Sequence, residues 1–117
     1  MQLTEMTFSQ AQPIQSYGPG FFRIGGQVIE GAALIHAEGA QSWAGVDAVE
    51  TVLAMRDKID VVLFGTGQAM APVPAVFRSA LEEAGIGVEP MASPQACRTY
   101  NVLVSEGRRV AAALLPL

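Results

Sequence analysis

Cysteine, histidine and basic residues are scarce in this chain of 117 residues. Cys97 is the only cysteine and His36 the only histidine, so the chain can form neither an intramolecular disulfide nor a thiolate metal cluster. One residue of each type also falls short of the three or four ligands of a usual zinc site. We therefore expect no metal and no other cofactor, and a reducing compartment.

Positive charge is sparse as well. Lys and Arg total 7 against 11 Asp and Glu, which gives a formal net charge of −4. A nucleic-acid surface needs clustered cations that displace counterions, and here only Arg108 and Arg109 are adjacent. We expect no nucleic-acid partner.

Long apolar runs and targeting segments are also missing. No stretch approaches the ~20 apolar residues that span a bilayer. Residues 1–12 lack the cationic start and apolar core of a secretory signal, and they lack the arginines of a mitochondrial presequence. These patterns predict a soluble, cytoplasmic protein without a transmembrane segment, and they leave open whether it is a homo-oligomer.

The composition is that of one folded domain. Half of the residues are hydrophobic and 15% are charged, which excludes a disordered polyampholyte. We assign residues 1–117 to a single α/β domain. The polar start, residues 1–16, is interpreted as a first strand or as a loosely held arm, with the arm limited to residues 1–13.

The front half of the chain predicts antiparallel β-structure. Residues 17–20, Tyr-Gly-Pro-Gly, form a turn sequence. Gly25-Gly26 separates the β-prone runs 21–24 and 27–30, which is typical of a two-residue hairpin. Residues 31–36 could continue as a third strand after a bend.

The back half alternates strands and helices. Apolar spacing predicts helices over 46–56 and 73–84, and a third from Ser93 to about residue 105, with Ser93 as N-cap and Pro94 at the first helical position. Pro74 is expected in the first turn of the second helix and Gly85 after its end. Strands are expected over 60–64, 86–89 and 110–115. This order favours a parallel or mixed sheet with helices packed on its faces.

Two loops follow strands of that sheet, where ligands of open α/β folds bind. Gly65-Thr66-Gly67-Gln68 follows one strand, and Pro90-Met91-Ala92-Ser93 follows another. Free amides at the Ser93 helix start would suit an anion, and Arg98 could reach the same space with a bidentate guanidinium. Together they would make a small polar pocket for a carboxylate, a phosphate or a peptide carbonyl, with two further polar candidates, Thr99 and Asn101.

Each of these residues also has a purely structural interpretation. The Gly65–Gly67 segment lacks the spacing of a phosphate-binding loop and could simply be a tight turn. Arg98 could pair with a nearby carboxylate, Glu89 or Glu106, or with a carbonyl at a strand end. Asn101 disfavours a helix interior unless its amide has a specific partner.

The remaining candidates carry no complete catalytic set. Cys97 has no catalytic partner near it in sequence and is expected to be buried and inert. His36 is expected to be a surface or hydrogen-bonded residue at a strand end, and Tyr100 to pack in the core. Trp43 could either fill the edge of the core or be exposed as an interface anchor.

Several motifs in one order resemble a known family. They are Ser16–Ile24, Trp43, Gly65–Gly67, Gly85–Met91, Ala96–Leu103 and Glu106–Leu114. The chain resembles, from about residue 14 to 117, the domain-of-unknown-function family that includes mitochondrial complex I assembly factor 3 and small stand-alone bacterial and archaeal proteins. It departs from many relatives at Ala92-Ser93-Pro94, where they carry an Asp-Thr pair.

This resemblance implies a three-layer (β+α/β/α) fold with a mixed central sheet and a small β layer that includes the N-terminal antiparallel hairpin. It implies no established enzyme activity. We therefore favour a non-enzymatic binding or assembly module that holds a protein partner, such as a respiratory-complex subunit, through the Trp43 region or the Gly65–Gly67 loop. The alternative is a small anionic-ligand-binding protein or an uncharacterised enzyme that uses that loop and Arg98.

Overall fold

The computed structural model describes residues 5–117. Along the chain, six strands come first, and three helices then alternate with three further strands, so the expected order of the back half is confirmed. A 3-10 turn at Val46–Ala48 leads into the first helix. The strands β1 to β9 are Glu5–Thr7, Ile14–Gly18, Phe21–Ile24, Gln27–Glu30, Ala33–His36, Gly39–Ser42, Val61–Gly65, Gly87–Met91 and Val110–Leu114, and the helices α1 to α3 are Val49–Leu53, Ala75–Glu83 and Ser93–Ser105.

Six strands form a mixed central sheet in the order β1-β6-β5-β9-β7-β8. β7 pairs in parallel with both β8 and β9, whereas β5 pairs antiparallel with β9 and β6. The last strand, β9, thus joins a parallel half of the sheet to an antiparallel half. The expected mixed sheet is confirmed.

The remaining strands, β2, β3 and β4, form a separate antiparallel sheet. Ile24 pairs with Gln27 across Gly25-Gly26, whose φ angles of 60° and 78° are those that a primed hairpin turn requires. The predicted hairpin is confirmed. The turn before it is shorter than predicted, because Tyr17 and Gly18 belong to β2 and only Pro19-Gly20 turns.

Core residues lie on both faces of the central sheet. Along β7, Leu63 faces a cluster formed with α3 and the three-stranded sheet, whereas Val62 and Phe64 face α1 and α2. Strand β9 contributes alanines to both faces, and these small side chains let both outer layers pack close to the sheet. The three-layer arrangement is confirmed.

One strand of this sheet escaped prediction. β6, Gly39–Ser42, contains none of the β-branched or aromatic residues that mark a strand, yet it pairs with β5 and β1. A Cβ at Gly39 would lie 2.4 Å from the carbonyl oxygen of Met6, so glycine lets β1 approach. The start of the chain therefore includes a strand at Glu5–Thr7, while residues 1–4 of the expected arm lie outside the described part.

The helix boundaries differ from the predicted ones at three points. Ala92, not Ser93, is the N-cap residue of α3, so the predicted cap is wrong and Pro94 is the second helical residue. Pro74 stands just before α2 rather than in its first turn, while Gly85 follows its end with φ of 82°, as expected. The first helix ends at Leu53 and is followed by turns.

Candidate functional site

The two loops expected to form a site do meet. Gly65, at the end of β7, is in register with Met91 at the end of β8 and with Leu114 at the end of β9. The amide of Thr66 donates to the carbonyl oxygen of Met91 at 2.9 Å. Because β7 pairs in parallel with both β8 and β9, the carboxyl ends of these three strands lie together at one end of the sheet.

The Thr66 hydroxyl is engaged within its own loop. Its Oγ1 donates to the carbonyl oxygen of Ala69 at 2.6 Å and accepts the amide of Ala71 at 3.1 Å. The Met91 carbonyl oxygen lies 3.3 Å from the same atom. Thr66 therefore fixes the conformation of residues 66–71 and does not present a free hydroxyl to a ligand.

Ser93 is the one buried polar residue among residues 5–117, and it ties the loop to the end of the chain. Its Oγ donates to the carbonyl oxygen of Leu115 at 2.7 Å and accepts the amide of Gly67 at 2.9 Å. A Cβ at Gly65 would lie 2.7 Å from that Oγ, so only glycine fits. The loop, the start of α3 and the end of β9 are thus packed against one another.

These contacts remove most of the expected anion-binding amides. The amide of Ser93 donates to the carbonyl oxygen of Gly67 at 2.7 Å, and Pro94 has no N–H to offer. The amide of Ala96 is already bonded to the carbonyl of Ala92. The start of α3 therefore lacks the row of free donors that an anion would require.

Arg98 points to the three-stranded sheet. Its Nη1 donates to the hydroxyl of Tyr17 on β2 over 3.5 Å, and the side chain is exposed. Within residues 5–117 it forms no ion pair with either Glu89 or Glu106. Thr99 is half-buried at the next position of α3.

Asn101 has the specific partner that its position in mid-helix requires. Its Oδ1 accepts the amide of Ile14 at 2.7 Å, and its Nδ2 donates to the carbonyl oxygen of the same residue at 2.9 Å. The side-chain amide thus substitutes for a strand neighbour of β2. It attaches α3 to the small sheet.

Trp43 belongs to the core. It is only 5% exposed, its Nε1 donates to the carbonyl oxygen of Ala48 at 3.1 Å, and its ring centroid lies 5.8 Å from that of Phe77. Of the two interpretations left open by the sequence, the core is confirmed and the exposed interface anchor is wrong.

Neither of the two potentially reactive residues, Cys97 and His36, presents a free reactive group: Cys97 is buried and His36 is hydrogen-bonded. Cys97 is buried, and burial raises the pKa of its thiol to about 12, while the Arg98 cation acts in the opposite direction. His36 accepts the amide of Glu38 at its Nδ1 over 3.3 Å, and burial lowers the pKa of the imidazole. Both expectations, a buried Cys97 and a hydrogen-bonded His36, are confirmed. Tyr100 is fully buried, as predicted, and burial raises its pKa.

A cleft at the opposite end of the sheet was not anticipated. It has a volume of about 300 Å³ and lies beside His36, where β7 and β9 begin. Its cations are largely neutralised, because Lys58 pairs with Glu38 at 2.7 Å and Arg109 pairs with Asp60 at 3.4 Å. Along residues 5–117, no group of three or more His, Cys, Asp or Glu side chains is placed to hold a metal ion.

An exposed apolar segment is the more unusual feature that sequence analysis missed. Residues 69–76 read Ala-Met-Ala-Pro-Val-Pro-Ala-Val, and all except the half-buried Val73 are exposed. Val76 is 83% exposed and Met70 is 63% exposed. The signal was present in the sequence as a run of nine apolar residues, 69–77, of which only Phe77 is buried. Such runs are rarely left at a surface without a function.

Comparison with known proteins gives the chain its family. The model of the protein family of unknown function DUF498/DUF598 matches residues 14–115. The chain belongs to this family. An uncharacterised protein of Rhodobacter capsulatus is 49% identical over 97% of this chain and 91% of that protein.

Other relatives of the chain have names that mention NADH dehydrogenase. The zebrafish NADH dehydrogenase [ubiquinone] 1 alpha subcomplex assembly factor 3 is 34% identical over 88% of this chain, which spans 63% of that protein. The human protein of the same name is 28% identical over 99% of this chain and 67% of its own length.

Solved structures of similar proteins have the same fold. A crystal structure described as an outer membrane protein from Bartonella henselae has a TM-score of 0.83 at 33% identity and covers 93% of this chain and 98% of that one. A Bordetella pertussis protein described as an Mth938-like domain has a TM-score of 0.77 at 25% identity, over 99% of this chain and 92% of that one. Of the helices in residues 5–117, none has the length and apolar character needed to cross a bilayer.

Proposed function

We propose that this chain is a non-enzymatic assembly factor that acts from the cytoplasm and binds a protein subunit of respiratory NADH dehydrogenase while that complex is built. The observation that carries the proposal is the 34% identity with the zebrafish assembly factor, which extends over 88% of this chain. The match covers 88% of this chain and 63% of that protein, so the shared part includes most of the α/β domain.

The geometry of the Gly65–Gly67 loop supports a protein-binding role. The polar groups expected to line a pocket there bond to the protein itself, through Thr66 to Ala69 and Ala71 and through Ser93 to Leu115. A substrate would have to displace these bonds. The same loop leads directly into the exposed apolar segment 69–76, which is suited to contact with another protein.

The same contacts weigh against the alternative of an anionic ligand at this loop. Arg98 was its expected charged partner, and its guanidinium instead reaches Tyr17 on β2. The buried thiol of Cys97, with its raised pKa, is also a poor nucleophile, because the thiolate is the reactive form. A protein partner therefore fits the structure better than a small substrate.

The test is genetic and biochemical. The gene is deleted in the organism that encodes it, and NADH:quinone oxidoreductase activity is measured in membranes, with succinate dehydrogenase as the internal control. We expect the first activity to fall at least fivefold, the second to stay unchanged, and partially built NADH dehydrogenase to accumulate on native gels. Normal NADH dehydrogenase activity and normal complex size in the deletion strain would rule the proposal out.

A further inference from the structure

The exposed apolar segment 69–76 is held in one conformation. The Thr66 hydroxyl bonds to residues on both sides of Met70, at the carbonyl of Ala69 and the amide of Ala71. Pro72 and Pro74 fix the backbone beyond it. An exposed segment that is ordered before binding loses little conformational freedom on binding, which favours a recognition surface over a mobile loop.

The exposed side of α2 continues this surface. Ala75, Val76, Ser79, Ala80 and Glu83 line a shallow concavity of about 370 Å³, while Phe77 and Leu81 on the other side of the helix pack in the core. The small side chains at positions 75, 79 and 80 would allow the backbone of a partner to come close. Such a groove between side-chain rows is the geometry that receives another helix.

An extended partner strand fits this surface poorly. A strand binds by adding backbone hydrogen bonds to an exposed edge, and Pro72 and Pro74 have no N–H to donate. The nearby edge strand β8 is interrupted in the same way by Pro90. A helix makes its own backbone hydrogen bonds, so it needs only apolar and charged side-chain contacts here.

Charge decides which helix fits. The groove ends at Glu83, which takes part in none of the ion pairs of residues 5–117, whereas the neighbouring Glu82 pairs with Arg78 at 3.2 Å. Glu83 lies seven positions after Val76 on α2, about 10 Å further along the helix axis. A complementary partner would therefore carry apolar residues with a lysine or arginine about two helical turns away.

We propose that the surface formed by residues 69–76 and the outer side of α2 binds an amphipathic helix of a partner protein through its apolar residues and one cation that pairs with Glu83. This inference rests on the proposed assembly function and assigns its docking surface. In this arrangement Val76 is the central apolar contact, Met70 extends the contact area, and Thr66 acts only by holding the segment in place.

The first experiment measures binding of the purified chain to two labelled 18-residue helical peptides, one of leucine and lysine and one of leucine and glutamate, by fluorescence anisotropy. We expect the lysine peptide to bind at least tenfold more tightly than the glutamate peptide. Val76→Asp should weaken binding of the lysine peptide at least tenfold, and Glu83→Lys should remove the preference between the two peptides.

The matched control is Val102→Asp, which places the same charge at a valine of α3 that is 55% exposed. We expect this variant to bind both peptides as the parent does. Equal weakening by Val76→Asp and Val102→Asp, or equal binding of the two peptides to the parent chain, would overturn the proposal. All three variants should unfold within about 2 °C of the parent, because Val76, Glu83 and Val102 are exposed.

The second experiment replaces Val76 by a photo-crosslinking amino acid in cells and identifies the attached peptide by mass spectrometry. The expected product is a helical segment with apolar residues and a lysine or arginine two turns away. Attachment to a second copy of this chain, or to a segment without a cation, would overturn the proposal.

The deletion strain separates this inference from the proposed function. If the parent gene and Val102→Asp restore NADH dehydrogenase activity and Val76→Asp does not, the assembly function and the docking surface are both supported. If deletion leaves that activity normal, the assembly function fails, and the peptide and crosslinking results still decide the docking surface. If Val76→Asp restores activity fully, the docking surface fails while the assembly function stands.

Discussion

The side-chain amide of Asn101 on α3 forms hydrogen bonds with both backbone groups of Ile14 on β2, at 2.7 and 2.9 Å. Ile14 is buried, and its pairing with β3 includes an irregularity between residues 14 and 16. The side-chain amide of Asn101 therefore pairs with the N–H and C=O groups of Ile14, which the irregular strand pairing leaves without a backbone partner. This side chain adds to the core contacts that hold the three-stranded sheet against α3.

Replacement of Asn101 should destabilise the protein. Asn101→Ala removes both hydrogen bonds and leaves two partly buried backbone groups unpaired, so we expect the free energy of unfolding to fall by about 2–3 kcal/mol. Urea denaturation followed by the fluorescence of Trp43, the only tryptophan, measures this. The control Val102→Ala, one residue further on the exposed side, should change stability by less than about 0.5 kcal/mol. Similar losses in both variants would contradict a specific role for the amide.

Gly65→Ala should disturb the junction of β7, β9 and α3. The added methyl carbon would lie 2.7 Å from Ser93 Oγ and 2.8 Å from Leu114 Cδ2, and both neighbours are buried. We expect the free energy of unfolding to fall by about 1–3 kcal/mol, as is typical of overpacking. Gly87→Ala is the matched control, because the nearest atom to its new methyl group is 3.6 Å away. Equal melting temperatures of the two variants would show that the junction adjusts freely.

Thr66→Val should loosen the exposed segment without altering the core. The hydrogen bonds to Ala69 and Ala71 are lost, and the net value of one such bond is about 1 kcal/mol. Amide exchange at Ala71 should therefore accelerate about fivefold to tenfold, measured by NMR. Thr99→Val, at the half-buried threonine of α3, should leave exchange at Ala71 unchanged. An unaltered rate in Thr66→Val would mean that the backbone alone holds the segment.

The Cys97 thiol should resist modification until the protein unfolds. Burial raises its pKa from 9.0 to about 12, so the thiolate is scarce in the folded state at pH 8. Ellman's reagent should react within minutes in guanidinium and negligibly in native buffer. The folded state also holds the thiol proton more tightly than the unfolded chain, so this stabilising contribution is complete below about pH 9 and is lost as pH rises toward 12. Cys97→Ala should flatten that decline, and rapid native labelling would refute the prediction.

Acid should weaken the fold partly through His36. Burial lowers the pKa of this imidazole below 6.5, with the Lys58 cation acting in the same direction and the carboxylates of Glu38 and Glu5 opposing it. Because the unfolded chain then takes up the proton at a higher pH than the folded one, the free energy of unfolding should decrease as pH falls below about 6.5. An NMR titration of the ring should give a midpoint under 6.5, and His36→Gln should reduce the slope. A midpoint above 6.5 would reverse the expectation.

The parts of the fold that the sequence predicts are those encoded locally. Gly25-Gly26 between β-prone runs determines the hairpin, and the apolar run ending at Gly65 determines a central strand. Strand β6 was missed because nothing within Gly39–Ser42 favours a strand, and its two neighbours supply the pairing. Tertiary contact decided that element.

The difference between local and tertiary determinants also explains which parts of the candidate site could be predicted. The meeting of Gly65 and Met91 followed from strand order alone, whereas the roles of Ser93 and Asn101 depend on backbone partners 22 and 87 residues away in the chain. Backbone acceptors carry no sequence signature, so polar side chains that bind them resemble candidate ligand-binding residues. The sequence shows that segment 69–76 is apolar, but it does not show that the segment is exposed.

The central position of β9 has a consequence for how the protein folds during its synthesis on the ribosome. β9 lies between β5 and β7, and so between strands formed by residues 33–36 and 61–65, yet it is made of residues 110–114. Until those residues have left the exit tunnel, the two halves of the sheet have no strand to join them. Until then the apolar faces of the unjoined strands stay uncovered and open to binding by chaperones.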